Sequence, residues 1–401
     1  MGKKRLVQVN TVCNTSTGKI MECIQKEAIQ SGYDTYSFVG RRKPFSHMPC
    51  EKIGNAVSFW IHVAITTFFD KQGYGSYFHT RRMIRRIKQE NPSIIHLHNL
   101  HGYYLHLPLF FRYLKNEYKG KVFWTFHDCW PFTGHCPHFS YVKCERWKEE
   151  CHHCPRKREY PISWFLDGSK GNYSIKKKLF LGIQDLSVIV PSRWMEGWVK
   201  ESFFKEKPVY VIPNGIDLTA FRYHLDESVY RKYSISTDKK ILLGVASVWD
   251  ERKGLDDFIE LAKAIDNNNY QIVLIGLSPL QIKRLPRNIV GIARTENKQE
   301  LASLYSRADI FMNPSKEESF SLVTVEAMAC GTPVIVLDTS AVKELVDSEC
   351  GIVLRDNRTE TYLDAIQMVE KRNFKRDTVR LCAEKYDQKN MAKQIVALYD
   401  E

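Results

Sequence analysis

The segment Asn313 to Val336, NPSKEESFSLVTVEAMACGTPVIV, sets two carboxylates, Glu318 and Glu326, on either side of a helix start. Ser319 and Ser321 are capping-type residues, Leu322, Val325 and Ala329 recur at helical spacing, and Gly331 ahead of Pro333 is a stop signal. Glu318 is therefore expected in a loop and Glu326 inside a helix. Backbone N–H groups that open a helix bind an anionic phosphate, and a carboxylate beside them accepts paired hydrogen bonds from a vicinal diol. The combination suits a sugar nucleotide. Upstream, VASVWDERKGLDDF puts Arg252, Lys253 and Gly254 between a strand and a helix. Helix N-termini disfavour cations unless an anion is present, so this pair reads as neutralising a diphosphate leaving group.

In the first half, VNTVCNTSTGKIMECI reads as a strand, a polar loop containing Gly18, and a helix. Gly18 lets the backbone approach a phosphate or an acceptor, and a plain turn is the competing reading. VFWTFHDCWPFTGHC puts His127 and Asp128 directly after a strand, with Asp128 placed to orient His127 or to take an acceptor proton. His96, His98 and His101 also end a strand; alternation sends them to opposite faces, and metal ligation by them is not expected. Four cysteines, Cys136, Cys144, Cys151 and Cys154, crowd one short stretch. They can supply a tetrahedral structural zinc that staples a loop lacking its own core. A reduced thiol cluster, or ligation through His138, His152 or His153, are the other readings. Four thiolates leave no open position, so a catalytic zinc is not expected.

The elements that must position these groups alternate short Val, Ile and Phe runs with helical patterns, the signature of parallel sheets built from βαβ units. First-half strands are expected at Leu6–Asn10, Thr35–Val39, Ile94–His98, Val122–His127, Ser187–Val190 and Val209–Ile212. Second-half strands are expected at Ile241–Ala246, Gln271–Ile275, Ile289–Ile292, Ile310–Asn313, Val334–Leu337 and Gly351–Val353. Two doubly wound α/β domains follow, with ligands beyond the carboxyl ends of strands, in the cleft between two facing sheets.

The two-glutamate spacing followed by AMACGTPVI resembles the donor-site motif of retaining glycosyltransferases of the GT-B fold, in the large family-four group. HDCWPFTGHC and CHHCPRKREYP resemble a subgroup that assembles capsular polysaccharides and exopolysaccharides. The resemblance implies two Rossmann-like domains facing across a cleft. It gives an N-terminal acceptor-binding domain over 1–205 with a Cys-rich insertion at about 129–161, a nucleotide-sugar domain over 206–385, and a terminal segment 386–401 returning to the first. PNGID, at Pro213 to Asp217, is similar to the family's interdomain segment. By the same resemblance Glu318 contacts the transferred sugar, Glu326 holds the ribose, and Phe320, Ser321 and Leu322 offer backbone contacts. Lys253 matches the family's diphosphate lysine. Ser247 stands where many relatives carry arginine, and Arg252 is the candidate replacement. His127 matches a histidine beside the transferred sugar, a group that positions and polarises hydroxyls. The implied activity is hexosyl transfer from a nucleoside diphosphate sugar to a glycan or lipid-linked acceptor, with no cofactor required for catalysis.

The 401 residues suffice for two cored domains, and 43% apolar with 26% charged residues is a globular composition. A net charge of +13 implies an anionic partner. The helix at Thr80–Glu90 carries Arg81, Arg82, Arg85, Arg86 and Lys88, and Phe59, Trp60, Phe68 and Phe69 lie upstream. A basic surface with aromatics suits an anionic leaflet, and a solvated helix over an ordinary core is the alternative. Cys13, Cys23, Cys50, Cys330, Cys350 and Cys382 sit in apolar segments as core residues would, which points to a reducing compartment. The start, MGKKRLVQVN, lacks a signal-peptide core, and Leu6 excludes myristoylation at Gly2. A cytoplasmic protein, peripheral on the inner membrane face, is expected. Rival readings are a GT-B epimerase or phosphorylase, and a basic zinc-containing nucleic-acid-binding protein. The second leaves both glutamates idle, and no nucleic-acid partner is expected.

Overall fold

The apolar runs of the first half become seven strands in the computed structural model, which describes residues 4–13, 15–41 and 48–401. Gly2 of the excluded myristoylation site lies outside the described residues, with Met1 and Lys3. The strands are β1 (Arg5–Asn10), β2 (Asp34–Val39), β3 (Cys50–Lys52), β4 (Ile94–Leu97), β5 (Lys121–Thr125), β6 (Leu186–Val190) and β7 (Val209–Val211). They form one parallel sheet in the order β3-β2-β1-β4-β5-β6-β7. Burial on both faces explains the near-continuous apolar strands. Only β3 was not expected: three residues with Glu51 and Lys52 make no apolar run.

The second sheet takes β8 (Lys240–Val245), β9 (Tyr270–Ile275), β10 (Ile289–Ile292), β11 (Ile310–Asn313), β12 (Val334–Leu337) and β13 (Gly351–Leu354). Its order is β10-β9-β8-β11-β12-β13, again parallel. Strand order reverses between β1 and β4 in one sheet and between β8 and β11 in the other. In such sheets the crevice past the carboxyl ends of that central pair is where ligands bind.

The chain divides into a unit of residues 1–213 with 391–401 and a unit of residues 214–390. The division falls after Pro213, and β7, which pairs with β6, belongs to the first unit. The helix Gln388–Ala397 carries Met391, Ile395 and Val396, with Tyr399 just beyond it, into an apolar cluster with Leu6, Ile24, Phe123 and Ile189 of the first unit. Of the six cysteines read as core residues, Cys13, Cys330 and Cys350 are buried, while Cys23, Cys50 and Cys382 are partly exposed.

Candidate functional site

The turn after β8 and the turn after β11 meet at the reversal point of the second sheet. Asp250 caps a 3-10 turn, Glu251–Lys253, by accepting from Lys253 N at 2.9 Å. Gly254 follows at φ +74°, and a Cβ there would lie 2.7 Å from Pro314 O. Only glycine allows that contact, which presses the Lys253 turn onto the segment after β11. The chain is stitched again by Lys316 N donating to Arg252 O at 2.8 Å and Arg252 Nη1 donating to Glu317 O at 2.9 Å.

These contacts bring together the strongest sequence candidates: Lys253 Nζ donates to Glu318 Oε1. Both side chains are mostly covered, at 15% and 13% exposure, so the pair is screened less than a surface pair. Arg252 is turned onto its own chain rather than held out in place of the arginine missing at Ser247, which is exposed at the strand end.

Ser321 precedes the helix Leu322–Ala329 and was expected to cap it. Its side chain makes no cap; the residue sits at φ +94°, left-handed for a non-glycine. Such strain costs on the order of 1–3 kcal/mol and persists only where neighbours over-determine it. Here Asn313 Nδ2 donates to Ser321 Oγ at 2.9 Å and to Thr324 Oγ1 at 3.0 Å, and the two hydroxyls lie 2.9 Å apart. The effect is to aim the backbone at the helix start. Phe320 is buried with its ring edge-on to Tyr386, so its side chain belongs to the core. Glu326, in the second turn, accepts from Tyr305 OH at 3.1 Å. Burial, with the carboxylate beside it, holds that phenol protonated and donating. Tyr305 carried no signal in the sequence.

In the first unit the reversal point collects the histidines. His127 and Asp128 follow β5, and His98 follows β4, as read. Gln8 Nε2 donates to Met21 O at 3.1 Å, so Gln8 Oε1 accepts from His98 Nε2 at 3.1 Å. His98 Nδ1 then accepts from His127 Nε2 at 3.2 Å, which leaves His127 Nδ1 as the lone-pair nitrogen. Burial lowers His98 well below its ordinary value and His127 to about 4, so both rings are neutral. Asp128 is engaged by a second histidine. It accepts from His101 Nε2 at 2.8 Å, while His101 Nδ1 meets Tyr160 OH at 2.9 Å. Burial pushes the Asp128 carboxyl up, but His101 outweighs it and holds the group at about 2. His96 is structural: it is fully buried, bonded to Thr125 Oγ1 at 2.7 Å and Tyr399 OH at 2.5 Å. Gly18 lies in the first turn of the helix Ser16–Gln30, not in the loop before it. Its missing Cβ admits the Cys13 backbone, 2.2 Å from where that atom would be, so its close approach is to the protein's own chain.

The loop past Asp128 has an aromatic core that its sequence concealed. Phe132, Phe139 and Trp147 are fully buried, with ring centroids 4.8 Å apart for Phe139 and Trp147 and 5.3 Å for Phe132 and Trp147. Their irregular spacing matches no helix or strand period. Cys136, Cys144, Cys151 and Cys154 all line one small cavity beside this cluster.

Residues 26–220 match the model of Glycosyltransferase Family 4, and residues 239–371 match that of Glycosyl transferases group 1. A putative colanic acid biosynthesis glycosyl transferase, WcaC of Escherichia coli K12, is 24% identical over 318 residues, covering 77% of this chain and 73% of that protein. A processive diacylglycerol alpha-glucosyltransferase of Acholeplasma laidlawii is 32% identical over 167 residues, covering 39% of this chain and 49% of that protein. Among solved structures, sucrose-phosphate synthase from Thermosynechococcus elongatus superposes with a TM-score of 0.72 at 16% identity, covering 99% and 98% of the two chains. Anabaena HepE, solved in complex with UDP-glucose, superposes with a TM-score of 0.66 at 13% identity, covering 99% of each.

Proposed function

This chain belongs to the family 4, group 1 glycosyltransferases and has the GT-B fold, and from that premise we propose that it is a retaining enzyme moving a sugar from a nucleoside diphosphate to a glycan or lipid-linked hydroxyl. One observation carries the reading: Lys253 and Glu318 are paired at the reversal point of the second sheet, beside a strained, amide-presenting helix start. An arriving donor exchanges this internal pair for its own groups. Sugar hydroxyls donate to Glu318, the diphosphate takes Lys253, and Glu326, steadied by Tyr305, accepts from the ribose. Charge developing on the leaving diphosphate then meets Lys253 and the backbone N–H groups at Ser321 and Leu322. Retention follows from front-face attack assisted by that phosphate. His127, held by His98, positions the acceptor hydroxyl.

The test is thermal stabilisation and transfer across a panel of UDP and GDP sugars. One donor should raise the melting temperature. Glu318→Ala and Lys253→Ala should each lose at least about a hundredfold in turnover, the scale of a lost transition-state contact, while remaining folded. Near-normal turnover in both variants refutes the assignment.

The lipid-linked acceptor is supported by a helix that is turned inside out. Ala56–Phe69 buries only His62 and Thr66, while Val57, Trp60, Ile61, Phe68 and Phe69 face outward, Trp60 at 66% exposure. Phe78, Trp164 and Phe165 are exposed as well, and Phe68 stacks on Phe165. Exposed Arg81, Arg82 and Arg85 lie on the helix Tyr77–Glu90. Among the described residues no helix is long and apolar enough to cross a membrane. An anionic leaflet suits these aromatics and cations. Vesicles rich in phosphatidylserine should float the protein; Trp60→Ser with Phe78→Ser should stay at the bottom of the gradient.

A further inference from the structure

One buried polar atom lacks a partner where one is needed. His135 is fully buried and lines the same cavity as Cys136, Cys144, Cys151 and Cys154. Its Nδ1 lies 2.8 Å from Asp70 Oδ1 and 3.0 Å from Gln72 Nε2, and the carboxylate, which can only accept, takes the Nδ1 proton; its Nε2 has no hydrogen-bond partner. With Nδ1 carrying the proton, Nε2 presents a lone pair. An unsatisfied buried acceptor is costly, and a carboxylate fixing the far nitrogen of an imidazole is the arrangement that supports metal-ligating histidines. Asp70 is itself pinned, its Oδ2 accepting from Gly168 N at 2.8 Å and its carbonyl from Asn172 Nδ2 at 2.6 Å. On the thiol side, Gly134 N donates to Cys151 Sγ at 3.2 Å, as backbone amides do to thiolates. The cavity holds about 10 Å³, room for one small ion.

We propose that this cavity is a structural zinc site, its ligands drawn from the four thiolates and the Nε2 lone pair of His135. A structural site is four-coordinate, so one of the five donors stands just outside the shell. Among the described residues the group whose ligand atoms already lie within 4.8 Å of one another is a different one, Asp347, Cys350 and Cys382, with Asp347 exposed. Around the cavity the donors are set more openly, and the ion draws them in. The site closes the segment from Cys136 to Cys154 just ahead of Tyr160, whose hydroxyl meets His101. It thereby fixes the wall beside Asp128 without entering the reaction.

The full chain, purified under reducing conditions without chelator, is expected to carry one zinc by elemental analysis. X-ray absorption should find sulfur at about 2.3 Å, with nitrogen at about 2.0 Å if His135 is in the shell. Cys151→Ser with Cys154→Ser should lose the metal. Should that variant fail to fold, cobalt loading of the unaltered chain reports the same coordination through thiolate-to-cobalt absorption. A folded chain that holds no stoichiometric zinc after reduction and dialysis against zinc overturns the proposal. So does zinc surrounded by oxygen donors alone, or zinc retained in full by the double variant.

Discussion

The neutral histidines of the first unit give the molecule a particular response to acid. Burial lowers His62 and His127 to about 4 and His96 to about 3, against about 6.5 in an unfolded chain. As pH falls through 6.5 the unfolded state takes up protons that the folded state refuses. Stability is therefore full above about 6.5 and is lost progressively toward 4, by up to about 1.4 kcal/mol per pH unit for each such ring. Urea midpoints measured from pH 7.5 to 4.5 should fall across that window; a flat profile would contradict the neutral His98–His127 pair. These residues also mark what a linear reading could reach. His127, Asp128, Lys253 and Glu318 were legible because each directly follows a strand end or opens a turn. The pairings were not: His98 with His127, His101 with Asp128 and Tyr160, and Tyr305 with Glu326 join residues far apart in the chain. His135 was passed over for His138, His152 and His153 because Asp70, which fixes its ring, is 65 residues away.

At the scale of elements, the twelve strands expected from apolar runs are all present, each within two residues at either end. Burial on both faces writes a parallel strand plainly, whereas β3 at an edge and the loop at 129–161 have no period to read. The turns are where geometry outruns pattern. Gly254 looked like a helix-start glycine, yet the contact with Pro314 is what holds Lys253 against Glu318. Gly254→Ala should cost more than about 1 kcal/mol, since the backbone stays at positive φ and the new Cβ meets a carbonyl. Donor affinity should fall with stability. Chemical denaturation and donor titration check both, and an alanine variant with unchanged affinity would remove the packing argument.

At the scale of the molecule, the first unit is completed by residues that follow the second unit in the chain. Tyr399 OH bonds His96 inside the core, and Met391, Ile395 and Val396 pack on Leu6 and Phe123. Tyr399→Phe leaves His96 Nδ1 unsatisfied and should cost about 1–3 kcal/mol, read from denaturant midpoints of the full chain. An unchanged midpoint would mean that the bond contributes nothing. The family resemblance implied a terminal segment, 386–401, returning to the first domain, and the place where it packs supplies the energetic reason.

That packing also sets an order of events during synthesis. While residues 214–390 are being made, the apolar cluster of Leu6, Ile24, Phe123 and Ile189 is only partly covered, because Met391, Ile395, Val396 and Tyr399 have not left the ribosome. Nascent chains halted before residue 391 should therefore attract chaperones and degrade quickly, and emergence of residues 391–401 should end that exposure in a single step.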